Sequence, residues 1–187
     1  MGWEYNLDGW PWYTNSGNVD TFKTAFRRVV GIMRAEAPGL KFEFGLNCAS
    51  GLNGSGDRLA SLTEGYPGDE YVDLVGCDKY SWWGETGANF DKVLRSDRGP
   101  GVQDVVDFAR AHGKGASFGE WGLAANHNGG GSGDDPAFIQ GMWDFFQANR
   151  DVVVMEAYFD EPDSYIESSL YRNGQNPNAG ARYRSLW

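Results

Sequence analysis

The sequence predicts an α/β fold in which parallel strands alternate with helices. Segments rich in branched and aromatic residues alternate about five times with segments of helical periodicity. This order favours parallel strands joined by helical crossovers. Polar or reactive residues fall at the carboxyl ends of the strand segments, where ligands gather in such sheets. With 187 residues, a single domain over residues 1–187 is expected.

Three helices have clear sequence limits. The segment NVDTFKTAFRRVVGIMRAEAPG has an apolar face behind a cap at Asn18 and ends before Pro38. The segment GVQDVVDFARAHGKG has apolar residues at helical spacing and stops at Gly113. Asp135 and Pro136 fit the cap and first turn of a third helix. The terminal AGARYRSLW predicts a closing helical turn.

The strands are predicted from runs of branched and aromatic residues that close on polar groups. A first, short strand is expected to end at Glu4 in the opening GWEYN. The other four are KFEFGLN (41–47), YVDLVGCDKY (71–80), GASFGEWGL (115–123) and DVVVMEAYFD (151–160).

Composition excludes some classes of partner. Acidic residues outnumber basic ones 26 to 16, and the formal net charge of −10 disfavours nucleic acid and anionic lipid surfaces. No stretch reaches the roughly 18 uncharged apolar residues of a membrane span, so no membrane partner is expected. Aromatic residues make up 15% of the chain, which suits flat ligands with apolar faces, such as sugars.

Several conspicuous residues are given no catalytic role. Cys48 and Cys77 lack the spacing of a zinc site and are expected to be buried free thiols. The run GGGSGDD lacks the Lys-Ser/Thr of a phosphate loop and is expected to be a flexible connection. His112, at a helix end, and His127, near this run, are expected on the solvated surface.

Two glutamates stand out because each is flanked by tryptophan at the end of a predicted strand. Parallel strands could bring Glu4 and Glu120 to one rim. Hydrolysis of a glycosidic bond needs such a pair, one acid to protonate the departing oxygen and one carboxylate to attack carbon or activate water. The reaction needs no metal or cofactor, so none is expected. Desolvation by Trp3 and Trp121 would raise the pKa of an acid placed here.

The residues alone leave other interpretations open. Both glutamates could be ordinary strand-end acids that make caps or ion pairs. Five further carboxylates compete with them for the same role. These are Glu43, Asp78, Glu85, Glu156 and Asp160.

Three blocks, taken in order, resemble a known family. GWEYN followed by GWPWY, then YVDLVGCDKYSWW, then GKGASFGEWGL are similar to the second part of glycoside hydrolases of family 26, best known for β-mannanases. The middle block is the most specific, with Asp78, Tyr80 and Trp82 at the end of its strand. The resemblance covers nearly the whole chain and implies a partial (β/α)8 TIM barrel of about five parallel units, strands 4 to 8.

The resemblance also implies roles for individual residues. Glu4 would be the general acid/base, Glu120 the nucleophile, and Tyr80 the phenol that holds the nucleophile by a hydrogen bond. Four tryptophans are candidate walls of the sugar subsites, and each could equally pack under a loop. These are Trp10, Trp12, Trp82 and Trp121.

Two departures from the family accompany these roles. The family has His directly before the acid/base glutamate, whereas Trp3 stands there, which bears on substrate type and on tuning of the acid. A full barrel takes about 250 residues, and nothing here resembles strands 1 to 3. A partial barrel has open strand edges and uncovered apolar surface. Self-association into a homo-oligomer is therefore expected.

The expected function is that of a retaining endo-β-glycosidase acting on a plant-type polysaccharide or oligosaccharide. β-Mannan is the first expected substrate, and β-glucan or β-xylan is the alternative. A second possibility of a different class is an inactive half-barrel that self-associates and at most binds carbohydrate. A polysaccharide substrate would place the protein outside the cell.

Overall fold

The computed structural model describes residues 2–125, 130–172 and 174–187. Within them, four strands alternate with six α-helices, two of which are single turns. The strands are β1 (Glu43–Asn47), β2 (Leu74–Tyr80), β3 (Gly115–Gly122) and β4 (Val153–Tyr158). The helices are α1 (Val19–Glu36), α2 (Leu62–Gly65), α3 (Phe90–Leu94), α4 (Val102–Ala111), α5 (Pro136–Ala148) and α6 (Pro177–Leu186).

The four strands form one parallel sheet in the order β1-β2-β3-β4. Each sequence-predicted strand from residue 41 onward is confirmed, and each crossover contains a helix. The fold is thus four parallel β/α units, and the order along the chain is also the order in the sheet. All carboxyl ends of the strands consequently meet at one edge, as the sequence predicts.

The expected strand that ends at Glu4 is not a strand. Residues 3–6 form turns, and Glu4 itself has a φ of +50°, in the left-handed region. The backbone of this segment turns back on itself, with the Leu7 N–H donating to the Glu4 carbonyl at 2.9 Å. Tyr5 instead anchors the segment, because its ring is fully buried and stacks on Phe44 of β1 at 4.8 Å.

The helices follow the limits that the sequence predicts. α1 begins after Asn18, although no cap hydrogen bond forms from that side chain. α5 begins as expected, since the Asp135 carboxylate accepts from the N–H groups of Ala137 and Phe138. The apolar faces of α4 and α5 are buried against the sheet. Together these layers place the core on the helix side of β2 and β3.

Cys48 and Cys77 are not free thiols. They form a disulfide that joins the residue following β1 to the interior of β2, across a sequence separation of 29. Both are buried, as expected. The sequence gives no spacing signal for this bond, because the two residues meet only when β1 and β2 pair side by side. The bond fixes the carboxyl end of β1, where the site described below begins.

The described residues of the glycine-rich run GGGSGDD make specific contacts with neighbouring segments. Gly131 forms a bridge with Trp82, and Asp134 accepts hydrogen bonds from the first turn of α6, including the Ala179 N–H at 2.7 Å. His127 and its neighbours in 126–129 lie outside the described residues. His112 is partly exposed at the end of α4 and contacts Asp69 at 2.8 Å.

In the described part of the chain, no helix is long and apolar enough to cross a membrane.

Candidate active site

Glu4 and Glu120 line the same cavity at the carboxyl end of the sheet. The cavity has a volume of about 540 Å³. Residues from the ends of all four strands, or directly after them, contribute to its wall, including Asn47, Tyr80 and Phe159. The structure therefore brings together the two glutamates that sequence reasoning singled out, from positions 116 residues apart.

Glu120 projects from an irregular point in β3. One more residue separates Phe118 from Trp121 than separates their partners in β4, Glu156 and Tyr158. The pairing with β2 shows the same extra residue in this part of β3. A bulge of this kind re-aims one side chain without ending the strand. It turns Glu120 toward the cavity while Phe118 and Trp121 stay in the core.

Tyr80 holds Glu120 from the neighbouring strand. Its phenol donates a hydrogen bond of 2.5 Å to Oε1 of Glu120. Burial raises the pKa of Glu120, as does the negative charge of Glu4, whereas the Tyr80 hydrogen bond lowers it. The pKa of Tyr80 is raised well above its usual range by burial and by the adjacent Glu120, so the phenol keeps its proton. Tyr80 thus favours the ionised form of Glu120.

Glu4 is held by two N–H donors, one to each carboxylate oxygen. The indole of Trp10 donates to Oε2 at 2.9 Å, and the side-chain amide of Asn47 donates to Oε1 at 2.6 Å. The side chain is nearly buried, with 6% of the residue exposed. The left-handed backbone at Glu4 is uncommon for a residue other than glycine and costs roughly 1 kcal/mol or more.

The tryptophans divide between cavity and core. Trp10 and Trp82 line the cavity, as proposed from the sequence. Trp12 stacks on Trp10 with ring centroids 5.3 Å apart and its indole N–H donates to the Trp3 carbonyl, so it supports the wall from behind. Trp121 lies elsewhere.

Trp121 is fully buried on the helix side of β3. Its ring packs edge-on against Phe146 of α5, and its indole N–H donates to Glu156 at 2.7 Å. Neighbouring residues of a strand point to opposite faces of a sheet, and Glu120 occupies the cavity side. Trp121 is therefore a core residue and not, as expected from the family resemblance, a wall of the cavity.

Sequence reasoning missed several residues of the cavity wall, among them Trp3, Trp83 and Arg98. Trp3 is 48% exposed and Trp83 is 59% exposed, and both line the cavity. Trp83 has a φ of +56° and is pinned by a hydrogen bond from its N–H to the Gly130 carbonyl. The Arg98 guanidinium lies over the Trp83 ring, 5.9 Å from its centroid. The adjacent tryptophans at 82 and 83 were the available signal.

The competing carboxylates have other partners. Glu85 lines the cavity but forms a buried ion pair with Lys79 and accepts a hydrogen bond from Ser96. Burial lowers the pKa of Lys79, and the charge of Glu85 opposes that shift. Glu43 accepts from the Ser117 hydroxyl at 2.7 Å. The buried ion pair leaves Glu85 poorly placed to attack a substrate, and Glu43 does not line the cavity.

Glu156, in β4, and Asp160, after β4, also accept hydrogen bonds from other groups of the protein. Glu156 accepts from the indoles of both Trp121 and Trp187. Asp160 accepts from the Leu170 N–H at 2.6 Å. Neither lines the cavity.

Asp78 belongs to the electrostatics of the site without lining the main cavity. Its pKa is raised to about 9, first by burial and then by the negative charges of Glu120, Glu4 and Glu43. The residue follows the disulfide in β2 and pairs with Asn47 of β1. This pKa keeps Asp78 protonated at neutral pH, next to the carboxylates of Glu4 and Glu120.

A pair of carboxylates in a cleft with indole walls, at the carboxyl end of a parallel sheet, is the arrangement that glycoside hydrolysis requires. The family model of glycosyl hydrolase family 26 matches residues 5–116, more than half of the chain, and the chain belongs to this family. The resemblance seen in the sequence is thereby confirmed. Glu4 and Glu120 lie just outside the matched range, so their roles depend on the geometry above.

One curated relative adds a more specific likeness. The chain is 38% identical over 101 residues to Endoglucanase H of Acetivibrio thermocellus, a match that covers 49% of this chain and 11% of that protein. The chain thus spans only a small part of this relative.

Solved structures confirm the fold. The chain is similar to the catalytic domain of the family 26 endo-β-1,4-mannanase of Bacillus sp. JAMB-750, with a TM-score of 0.65 and 20% identity over 97% of this chain and 47% of that one. It is similar to the endo-β-1,4-mannanase of Cellulomonas fimi, with a TM-score of 0.66 and 19% identity over 98% and 39%. The four β/α units therefore correspond to part of a (β/α)8 barrel. This chain spans less than half the length of each of these two mannanase chains.

Proposed function

We propose that this chain carries the catalytic pair of a retaining endo-β-glycosidase. The observation that supports the proposal is the shared cavity of Glu4 and Glu120, with Tyr80 hydrogen-bonded to Glu120 and indoles on the wall. Retaining hydrolysis places its two carboxyl groups about 5–5.5 Å apart on either side of the scissile bond. The effect of the Glu4 charge on the pKa of Glu120 is in keeping with such proximity.

The proposed reaction has two steps. In the first, the Glu120 carboxylate attacks the anomeric carbon while Glu4 gives its proton to the departing glycosidic oxygen, which leaves as an alcohol. In the second, Glu4 takes a proton from water, and the resulting oxygen displaces Glu120 from the sugar. Glu4 ends protonated and Glu120 ionised, as at the start. The Tyr80 phenol steadies Glu120 through both steps.

The proposed substrate is a β-linked plant-type polysaccharide. The solved structures reported above are endo-β-1,4-mannanases, and the curated relative is named an endoglucanase. β-Mannan and β-glucan are therefore the first two substrates to compare, with β-xylan third. Mannose and glucose differ only in the configuration of the 2-hydroxyl, so the groups that face this hydroxyl decide between them.

A panel assay tests the proposed function. The parent protein, Glu120→Gln and Glu4→Gln are incubated with β-mannan, β-glucan and β-xylan, and reducing ends are measured. Glu70→Gln serves as the matched control because Glu70 is an exposed glutamate remote from the cavity wall. The parent and the control should cleave one polymer, and both site variants should lose at least about 10³-fold in rate. Equal rates for Glu120→Gln and parent would reject the nucleophile.

The stereochemistry of the first product separates retention from inversion. Proton NMR of the fresh digest should show the β-anomer before mutarotation. An α-anomer as the first product would contradict the two-step mechanism.

A second candidate function is carbohydrate binding without hydrolysis. It is favoured by the exposed indoles of Trp3 and Trp83 on the cavity wall, which can stack on a sugar whether or not the glutamates act on it. It predicts no reducing-sugar release, together with retarded migration in gels that contain the bound polysaccharide. Trp82→Ala and Trp83→Ala should abolish that retardation, whereas Trp187→Ala, at the far side of the sheet against Trp121, should not.

We also propose that the chain self-associates and acts outside the cell. β4 pairs within the described sheet only with β3, and its Val154 and Met155 are 62% and 44% exposed. Light scattering should show a dimer or larger assembly, and Val154→Lys should shift it toward a monomer. A monomeric parent would contradict self-association.

The disulfide between Cys48 and Cys77 supports an oxidising compartment, as expected of a protein that acts outside the cell.

A further inference from the structure

We infer that Asn6 is a positioning residue for the acid/base chemistry of Glu4. This inference rests on the proposed function and adds a residue to it. Asn6 does not line the cavity and contacts neither carboxylate. It acts through Asn47, whose side chain is one of the two N–H donors to Glu4.

The side chain of Asn6 pairs with the backbone of Asn47 in the way that a neighbouring strand would. Its Oδ1 accepts from the Asn47 N–H at 2.8 Å, and its Nδ2 donates to the Asn47 carbonyl at 2.9 Å. The same Nδ2 donates to the Ser50 carbonyl at 2.5 Å. We call these three hydrogen bonds the amide clamp. Only 1% of Asn6 is exposed, so water cannot replace bonds that are lost.

The amide clamp fixes the end of β1 where the strand leaves the sheet. Asn47 is the last residue of β1, and its backbone groups on the Asn6 side face no other strand in the described sheet. The following loop is tightly wound, with Ala49 at a φ of +61° and Gly51 at +66°. Gly51 lies directly on Asn6, since a Cβ at Gly51 would be 2.2 Å from the Asn6 carbonyl oxygen.

A fixed Asn47 determines where the proton on Glu4 can be delivered. The Asn47 amide engages Oε1 and the Trp10 indole engages Oε2, so the plane of the carboxyl group is set by two donors on separate segments. Proton transfer to a glycosidic oxygen depends on that orientation, and a misplacement of about 1 Å costs up to about 100-fold in rate. Loss of the clamp should therefore impair the step that needs the proton.

A leaving-group comparison distinguishes positioning of the acid from general damage. A polysaccharide leaves as a poor alkoxide and needs the proton, whereas 2,4-dinitrophenolate leaves a β-glycoside without one. The quantity to compare is kcat/KM, which reports formation of the glycosyl–enzyme. Asn6→Ala should lower kcat/KM roughly 10- to 100-fold on the polysaccharide and less than about threefold on the dinitrophenyl oligosaccharide. Equal losses on both substrates, or no loss on either, would overturn the inference.

Two further variants keep the test decisive if Asn6→Ala folds poorly. Asn47→Ala removes the donor to Glu4 but keeps the backbone groups that Asn6 holds, and it should show the same selective loss. Asn53→Ala is the matched control, because Asn53 is an exposed asparagine in the loop after β1. Its side-chain oxygen accepts a hydrogen bond from the nearby Ser55 N–H, at 3.1 Å. It should behave as the parent on both substrates.

A spectroscopic measurement tests the clamp independently of activity. In ¹⁵N spectra, the side-chain amide protons of Asn47 should exchange slowly in the parent and in Asn53→Ala. In Asn6→Ala, or in Asn6→Asp if that variant folds better, exchange should be at least about tenfold faster. Unchanged exchange would overturn the clamp. A parent that cleaves neither substrate would reject the proposed function, while the exchange result would still decide whether Asn6 holds Asn47 against Glu4.

Discussion

Glu4 and Glu120 face one cavity from surroundings that differ in kind. Glu120 projects from an inner strand of the sheet, and a bulge in that strand turns it toward the cavity. Glu4 lies in a turn with a left-handed backbone, and two side chains fix its carboxylate, the nearby Trp10 and the distant Asn47 at the end of β1. The first arrangement follows from strand pairing. The second depends on a few specific bonds, and it should be the easier one to break.

Asp78 is influenced by the charges of both Glu4 and Glu120, and its titration should have the largest effect on the free energy of unfolding. Burial and the charges of Glu120, Glu4 and Glu43 raise its pKa to about 9, against roughly 3.9 in the unfolded chain. The folded protein therefore binds the extra proton, and its stability should fall as pH rises from about 4 to 9. The slope is at most about 1.4 kcal/mol per pH unit.

The variant Asp78→Asn should remove most of this slope. Urea unfolding at pH 5, 7 and 9 measures the free energy of unfolding of parent and variant. The parent should lose stability steadily across the series, and the variant should lose much less. Parallel slopes would show that Asp78 ionises freely in the folded protein.

The disulfide should stabilise the fold mainly at the end of β1, where Asn47 contacts Glu4. It closes a loop with a sequence separation of 29 and fixes the residue after Asn47. The double variant Cys48→Ser/Cys77→Ser should lose roughly 3–4 kcal/mol in free energy of unfolding, because the unfolded chain gains loop entropy. Urea unfolding of parent and variant tests this. A reductant should destabilise the parent to a similar extent and leave the double variant unchanged.

Tyr80→Phe should affect the Glu120 side alone. Removing the phenol takes away the hydrogen bond that lowers the pKa of Glu120, while burial and the Glu4 charge continue to raise it. Glu120 should then ionise only at higher pH, so the acid limb of the rate profile should move to higher pH. At the optimum, kcat should fall roughly 10- to 100-fold. An unchanged profile would contradict either the proposed role of Glu120 as nucleophile or the effect of Tyr80 on its pKa.

Gly51→Ala should give the smallest effect and sharpen the view of the Glu4 side. A Cβ at Gly51 would clash with the Asn6 carbonyl at 2.2 Å, whereas Gly56 has the same φ of +66° with nothing within 4 Å. Both alanine variants carry the same backbone strain. Gly51→Ala should therefore be destabilised by roughly 1–3 kcal/mol more than Gly56→Ala. Equal midpoints in urea would show that the loop moves away from Asn6 at little cost.

The Glu120 side could be predicted from the sequence because local patterns determine it. Branched and aromatic runs located β2 and β3, and strand polarity placed Glu120 at the rim. The position of Tyr80 beside Glu120 was implied by the family resemblance. Period-two alternation also carried the information that Trp121 faces away from Glu120. Gly119, a glycine within a strand, was the signal for the bulge.

The Glu4 side could be predicted only in part. The carboxylate between aromatic residues marked its importance, but no local pattern shows that Asn6 pairs with Asn47, 41 residues away. The disulfide could not be predicted either, because Cys48 and Cys77 have no motif spacing and meet only when β1 and β2 pair. A strand was expected before Glu4, yet the segment is fixed instead by the buried ring of Tyr5. Tertiary contacts, and not propensity, decide this region.

The unequal exposure of the tryptophans provides a built-in optical reporter. Trp83 and Trp3 are about half exposed on the cavity wall, while Trp121 is fully enclosed beneath α5 and α6. A soluble quencher such as acrylamide should reach the first two indoles and spare the third. An oligosaccharide that fills the cleft should then protect a defined share of the emission, so that occupancy can be followed by fluorescence without any label.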